Sequence, residues 1–379
     1  MFDNYNIFDR KKTRLHCVIT TQSPLSHIGT VTGNVSNLKT LERIDINGDR
    51  RSVFAYSGNA LRNGVIRRRG VSKALEVLGL EVNPDVHHTL FAGGRIDGST
   101  GSDMELDAQI RKLMPWLSVL GTAKPAKVFG TKDAQMVQGR LNVGSAYLVC
   151  FESCDYVYEQ FPGLIHPDAI EGIQAILRAK ADLTEDPFNV PDKGSIAAYR
   201  DAKQNYIPLL RKVMKSWTEY VMVDQTTRRD STHDTELQKF LPAKEQKLLA
   251  GDGEAKKKEK SDQMIASDRL IVPGAKLYSR WDVNCTDVEL GFIVDALLAF
   301  SESPYIAGKG NRGNGLVSMQ FWFEQGIDRG EFMVLGKGVD TLSPTANAAH
   351  AKYSEYLSVW SDYLSQAKES QELRGLLSA

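Results

Sequence analysis

"YSGNALRNGVIRRRGVSKALEVLGL", Tyr56 to Leu80, places Arg62, Arg67, Arg68, Arg69 and Lys73 ahead of its first acid, Glu76. Ser57 or Asn59 can cap the start, Gly79 suits the end, and Val71, Leu75 and Leu78 supply a core face at i, i+4, i+7, so the stretch reads as a helix. Ordinary surface helices mix signs. On this one Arg62, Arg69 and Lys73 fall within about 40° of each other by helical geometry, with Arg67 and Arg68 flanking them. Like charges this close repel. A phosphate backbone would offset the repulsion and accept bidentate arginine contacts. The bland alternative is a solvated surface helix paired with acids elsewhere in the fold.

The chain around it is balanced. Of 379 residues, 47 are Lys or Arg and 47 are Asp or Glu, giving zero formal net charge. A general basic coat for nucleic acid is therefore excluded, and any polyanion must be held by local patches. Apolar residues at 42% and charged residues at 25% are ordinary globular composition, and the length allows one large or two modest domains. Cys17, Cys150, Cys154 and Cys285 lack the paired knuckles or histidine partners of a zinc site, and read as reduced thiols in a reducing cytoplasm. The N-terminus shows no apolar signal core and no apolar run approaches a membrane span, so a soluble, cytoplasmic protein without membrane contact is expected.

Outward from the helix, "RLHCVITT" (Arg14 to Thr21) reads as a strand, and "QSPLSHIGTVTGNVSNLKT" after it as a loop. Residues 81–112 read as irregular, with "AGGRIDGSTGSD" suggesting a loop or finger. "GRLNVGSAYLVCFES" (Gly139 to Ser153) reads as a strand whose hairpin partner lies between Trp116 and Phe129. Residues 167–222 read as two helices, with Pro167 at the first helical position and Pro208 as a kink or boundary. Val223 to Leu270 is polar and lysine-rich and cannot bury enough surface to offset its ordering entropy, so a disordered or partner-ordered insertion is expected. "TDVELGFIVDALLAF" is a helix opened by a Thr286/Glu289 capping box and buried through Leu290, Ile293, Val294, Leu297 and Leu298. "YIAGKGNRGNG" and the strand "LVSMQFWFE" follow, and Tyr353, Tyr356, Leu357, Trp360, Tyr363 and Leu364 recur at helical spacing near the end.

"GKGNRGNG" (Gly308 to Gly315) alternates glycines with Lys309, Asn311, Arg312 and Asn314. Bare backbone amides with two cations make an anion nest. It is not a nucleotide-binding P-loop, because no Ser or Thr follows the lysine and the order is helix, loop, strand. His27, His87 and His88 show no metal-ligand spacing, and a structural or base-stacking role suits them better than a metal. No nucleophile motif, paired carboxylates or other enzyme site stands out, so neither a cofactor nor a metal is expected.

In order, a first strand, "HIG", "SGNALRNGVIRRRG", a "LSVLGTAKPAKVFG…GRLNV" hairpin, polar "VDQTTRRD", and an apolar helix running into "AGKGNRGNGLVSM" resemble the RAMP superfamily of CRISPR proteins. Within it, the chain is most similar to the backbone subunit of class 1 effector complexes. The resemblance implies an α+β fold: an RRM-like (ferredoxin-like) core with large insertions, including a finger/web region and a thumb hairpin. All of residues 1–379 would form one RAMP domain. Its core would take 14–80, 113–153 and 270–330, a finger or loop insertion 81–112, a helical insertion 154–222, the thumb 223–269 and a C-terminal helix 343–379. It further implies that guide RNA (crRNA) is gripped by His27, Ser57, Asn59, Arg62, Asn63, Arg67, Arg68, Arg69 and Lys73. Arg228, Arg229, Lys309, Asn311, Arg312 and Asn314 would complete the contact. Expected partners are copies of the chain, a target nucleic acid (DNA before RNA), guide-processing and capping subunits, and a helicase.

One departure bears on catalysis. RNA-cleaving relatives carry an aspartate in the loop after "HIG", whereas here Gly29 to Thr40 holds no carboxylate. No RNase activity is expected, and the type IV backbone subunit is the nearest likeness. Two alternatives stand: an RNA-cleaving subunit using Glu42 or Asp45, and a free-standing RNA-binding scaffold outside CRISPR.

Overall fold

In the computed structural model, which describes residues 5–82, 84–93, 100–101, 104–124, 134–184, 191–228, 242, 264–336, 338 and 340–365, the first strand is β1 (Lys11–Thr21). It is buried without a break from Leu15 to Ile19, as befits a strand with neighbours at both edges and layers on both faces. The segment after it is not a loop. β2 (Ile28–Thr32) and β3 (Val35–Leu38) make an antiparallel hairpin across Gly33–Asn34, with Gly33 at φ 58°. β4 (Thr40–Ile44) then pairs with β5 (Arg50–Tyr56).

The basic helix is continuous but has three parts: α1 (Gly58–Leu61), a π-helical stretch (Arg62–Arg67) and α2 (Arg68–Leu78), ended by Gly79 at φ 61°. The region expected to be irregular contains α3 (Pro84–Ala92), β6 (Thr100–Gly101) and α4 (Met104–Leu113). α5 (Pro115–Leu120) starts on its proline, and β7 (Thr122–Lys124) and β8 (Ala134–Val137) form a small sheet with β6. Of the stretch expected to partner Gly139–Ser153, residues 116–120 are helical and Thr122–Lys124 pair with β8 instead, while residues 125–129 lie outside the described residues. That candidate strand is itself two, β9 (Leu141–Val143) and β10 (Ala146–Leu148). They part at Gly144, where a Cβ would sit 2.7 Å from the Arg280 carbonyl oxygen.

α6 (Cys154–Gln160), α7 (Pro167–Thr184) and α8 (Lys193–Val213) build a second core around Ile173, Ile176, Ile207 and Leu210. Pro208 lies inside α8 and does not end it. β11 (Val221–Arg228) and β12 (Met264–Ile271) pair along their whole length, so the lysine-rich excursion is anchored by a two-stranded ladder. Residues 229–241 and 243–263 lie outside the described residues, and so does the expectation of disorder there. β13 (Lys276–Cys285), α9 (Asp287–Ser301), β14 (Val317–Gln325), β15 (Asp328–Leu335), β16 (Thr341–Leu342) and α10 (Pro344–Ser365) complete the order.

The fold is mixed α+β with a large antiparallel main sheet, ordered β16-β15-β14-β1-β13-β10-β5-β4, with β9 also on β13; a second sheet runs β11-β12-β3-β2. α9 opens with the expected box: the Thr286 hydroxyl accepts from Glu289 N–H at 3.3 Å and the Glu289 carboxylate accepts from Thr286 N–H at 2.9 Å. α9 is buried nearly all round because it is wedged against the sheet, α2 and α10. Gly70 of α2 faces Phe292 and Ala296, and Gly291 faces Tyr353 and the Ala349 carbonyl, with no room for a Cβ at either. These contacts fix the basic helix against the sheet. Tyr353, Tyr356, Leu357 and Trp360 of α10 are buried as their spacing predicts, and all four cysteines are buried thiols. Among the described residues no helix is long and apolar enough to cross a membrane.

Candidate functional site

The π turn sorts the cations of the basic helix. It accommodates close to one residue more than an α turn, so the helix beyond it is rotated by roughly 90° from an uninterrupted one. Arg62 thereby leaves the face of Arg69 and Lys73. Arg67 is buried and donates to the carbonyls of Leu90 at 2.9 Å, Leu120 at 3.0 Å and Gly121 at 2.8 Å. Arg62 also donates to the Leu120 carbonyl. Leu120 and Gly121 end α5, so two guanidiniums answer the unpaired carbonyls and negative dipole end of that helix. Burial, then the neighbouring Arg62 charge, pulls Arg67 down to about 10, and burial lowers Arg62. Of the two arginines expected on phosphates, Arg67 is thus buried and Arg62 half-buried, both on the carbonyls that close α5.

Asn63, Gly64, Arg68, Arg69 and Lys73 remain outward. They form one wall of a cleft of about 800 Å³. The end of α9 and the loop from Tyr305 to Gly308 form the other, and His27 and Tyr56 lie between. Arg68 is exposed, and among the described residues neither it nor Lys73 makes an ion pair; Arg69 donates to the Ser303 carbonyl at 3.2 Å. Against these three cations the cleft presents Glu76 and Glu302, leaving one net positive charge.

His27 contributes a ring and not a charge. Its Nε2 accepts from Ser57 N–H at 3.1 Å, and it stacks on Tyr56 with centroids 4.2 Å apart. Burial, helped by Lys39, pulls it down to about 4, so it is neutral at pH 7. Ser57 serves through its backbone, since its side chain makes no cap bond; Asn59 is exposed on α1 and outside the cleft lining. The Tyr56 hydroxyl accepts from Ala307 N–H at 2.8 Å, tying the end of β5 to the loop. Ala307 is held at φ 80°, the one non-glycine residue in that region among the described residues. Sequence reasoning passed over Tyr56, Tyr305 and Ala307, although Tyr56 opens the quoted stretch. His87 and His88 lie exposed on α3, away from the cleft lining.

The glycine loop is not an open nest. Lys309 Nζ lies 2.5 Å and Arg312 Nη1 3.3 Å from the two carboxylate oxygens of Asp268, which is buried on β12. Burial alone would raise Asp268. Bonds from Lys309 and Ser36 and the two positive charges outweigh it and hold the carboxyl below its usual range. The two loop cations expected on phosphates are thus bound to a carboxylate of the chain itself. Asn314 is buried and Asn311 exposed. Gly315 has φ 87°, and a Cβ there would run into the Ile306 carbonyl. Of Gly308 to Gly315, Gly308 lines the cleft. Arg228 ends β11 opposite Met264, and Arg229 lies outside the described residues.

The acids of the RNA-cleaving alternative stand apart from the cleft. Glu42 accepts from Arg50 Nε at 2.6 Å, and Asp45 is buried in the β4–β5 turn, accepting from Asp49 N–H at 2.9 Å. Neither lines the cleft.

No family model and no curated protein matches the chain. Solved structures do. A chain titled as a type IV-B CRISPR complex aligns at 14% identity over 87% of this chain and 94% of its own, with a TM-score of 0.42. Csc2 of Thermofilum pendens aligns at 12% identity over 99% of this chain and 84% of its own, with a TM-score of 0.36.

Proposed function

We propose that this chain is a non-catalytic, multi-copy backbone subunit of a cytoplasmic CRISPR ribonucleoprotein, of type IV character. It holds guide RNA by its phosphates and presents the bases for pairing with a target, DNA before RNA. One observation carries this reading: the cleft gathers Asn63, Arg68, Arg69 and Lys73, the His27 ring and the start of the glycine loop on one surface. These come from three separate motifs of the RAMP resemblance. Arg68 and Lys73, which make no ion pair among the described residues, and the exposed backbone at Gly64 suit a phosphate chain approaching closely. Phosphate contacts position a strand without reading its sequence, which leaves recognition to base pairing.

An RRM-like core is supported by strand order. β14, β1, β13 and β10 lie side by side and antiparallel, with the basic helix between β1 and β10 and α9 between β13 and β14. The β11–β12 ladder is the base of the thumb, reaching towards a neighbouring copy. Guide-processing and capping subunits and a helicase are the remaining partners in this proposal. The absence of a carboxylate between Gly29 and Thr40 supports the non-catalytic role.

The test is co-expression with a CRISPR array and the neighbouring genes, followed by sequencing of nuclease-protected RNA. Discrete guide-derived RNAs in a multi-copy particle are expected. An RNA-free monomer overturns the proposal.

A further inference from the structure

The face of the main sheet opposite α2 and α9 has its own cleft, bordered on one side by the end of α6. Trp322, His16 and Arg280 stand in one row across β14, β1 and β13, and Glu324, Arg14 and Asp282 in the next row out. Phe161, just past α6, leans over this face with its ring centroid 4.9 Å from Trp322 and 5.3 Å from His16. Together they border a cleft of about 780 Å³, as large as the basic one and lined by other residues.

Its charges are already answered. Arg14 contacts Asp282 at 3.2 Å and Glu324 at 3.3 Å, Arg280 contacts Asp282 at 2.8 Å, and Arg329 contacts Glu324 at 2.6 Å. His16 is buried and hydrogen-bonds the Tyr278 hydroxyl at 2.8 Å. Three guanidiniums thus meet Asp282 and Glu324. A phosphate gains little where every cation holds a carboxylate. A flat ring gains more, because Trp322 and Phe161 are only half-buried and Arg14, Arg280 and Arg329 line the same cleft. The Gln160 amide nitrogen, whose partner oxygen accepts from Arg280 Nη1 at 3.1 Å, can meet its polar edge.

We infer that this cleft binds an unpaired nucleobase of a single-stranded nucleic acid by stacking on Trp322 and Phe161. The inference rests on the RNA-binding reading above and adds a base-holding site to its phosphate-holding one. Either RNA or DNA could supply the base.

The test is photo-crosslinking of the full chain to a short single-stranded oligonucleotide carrying 5-iodouracil, made once as RNA and once as DNA, with peptide mapping. Crosslinks are expected both in the basic cleft and in the peptide bearing Trp322. The arm that gives the second crosslink identifies the polymer. Trp322→Leu should erase that crosslink, keep the first, and weaken binding about tenfold. An abasic strand with the same number of phosphates should bind wild type and variant alike. Wild-type crosslinks confined to the basic cleft overturn this inference and leave the RNA reading standing. Crosslinks at neither cleft overturn both.

Discussion

Arg67 and Arg68 are adjacent, of the same type and on the same helix, yet replacing each with alanine should have opposite consequences. Arg67 makes three charge-assisted contacts to carbonyls, each worth about 1.5–3 kcal/mol. Desolvating the guanidinium costs several kcal/mol, so the contacts do not count in full, and removing one partner from such a buried cluster typically costs about 3–5 kcal/mol. Arg67→Ala should therefore lower stability by about 3–5 kcal/mol, whereas Arg68→Ala should stay within about 0.5 kcal/mol of wild type. Urea unfolding reads this directly: at a slope of about 2–3 kcal/mol/M, the Arg67→Ala midpoint falls by about 1–2 M with the slope unchanged. Arg67→Lys should fall between, since it keeps the charge but loses the fork. Retention of co-purified RNA should show the converse order, with Arg68→Ala lower. If Arg67→Ala unfolds with wild type while Arg68→Ala is destabilised, the inside–outside division at the π turn is wrong.

Arg68→Glu combined with Lys73→Glu should weaken RNA binding without moving the urea midpoint, and make the salt dependence shallower by about 0.7 for each phosphate no longer neutralised; an unchanged salt slope would remove these residues from the interface. His27 is held neutral with its folded pKa near 4, below its unfolded value, so acid protonates the unfolded chain first and stability falls as pH drops from about 6.5 towards 4. His27→Gln should lack that share of the decline, about 1–2 kcal/mol after allowing for partial exposure, in unfolding curves taken across the range. Asp268→Asn should cost about 1–3 kcal/mol and speed hydrogen exchange in both 264–271 and 308–315; faster exchange in one segment alone would mean that Asp268 does not join them.

The elements that announced themselves did so through strong local chemistry: the apolar, β-branched run of β1, the Thr286/Glu289 box, and the tyrosine and tryptophan spacing of α10. The β2–β3 hairpin was missed although Gly33–Asn34 between β-branched residues is a hairpin turn signal, because the surrounding glycine and polar residues dilute the alternation. Gly144 broke a candidate strand in two through its close approach to Arg280, a residue far away in the chain. Half of the basic patch was legible. The other half was not, because the helical count assumed α geometry throughout and a π turn leaves no mark in composition. The glycine loop was found, but its carboxylate partner stands on β12, about forty residues upstream, and only the fold brings the two together.

The π turn also sets how freely this sequence can drift. Outward positions 68 and 73 make no ion pair among the described residues, so lysine and arginine can replace each other there at small cost to stability. Position 67 asks for a planar fork reaching three fixed oxygens, and lysine cannot stand in. Deleting one residue between 62 and 67 would restore an ordinary helix with nearly the same composition. It would turn the anchoring arginine out to solvent and bring another into the interior, so this stretch should tolerate exchange of letters far better than a change in their number.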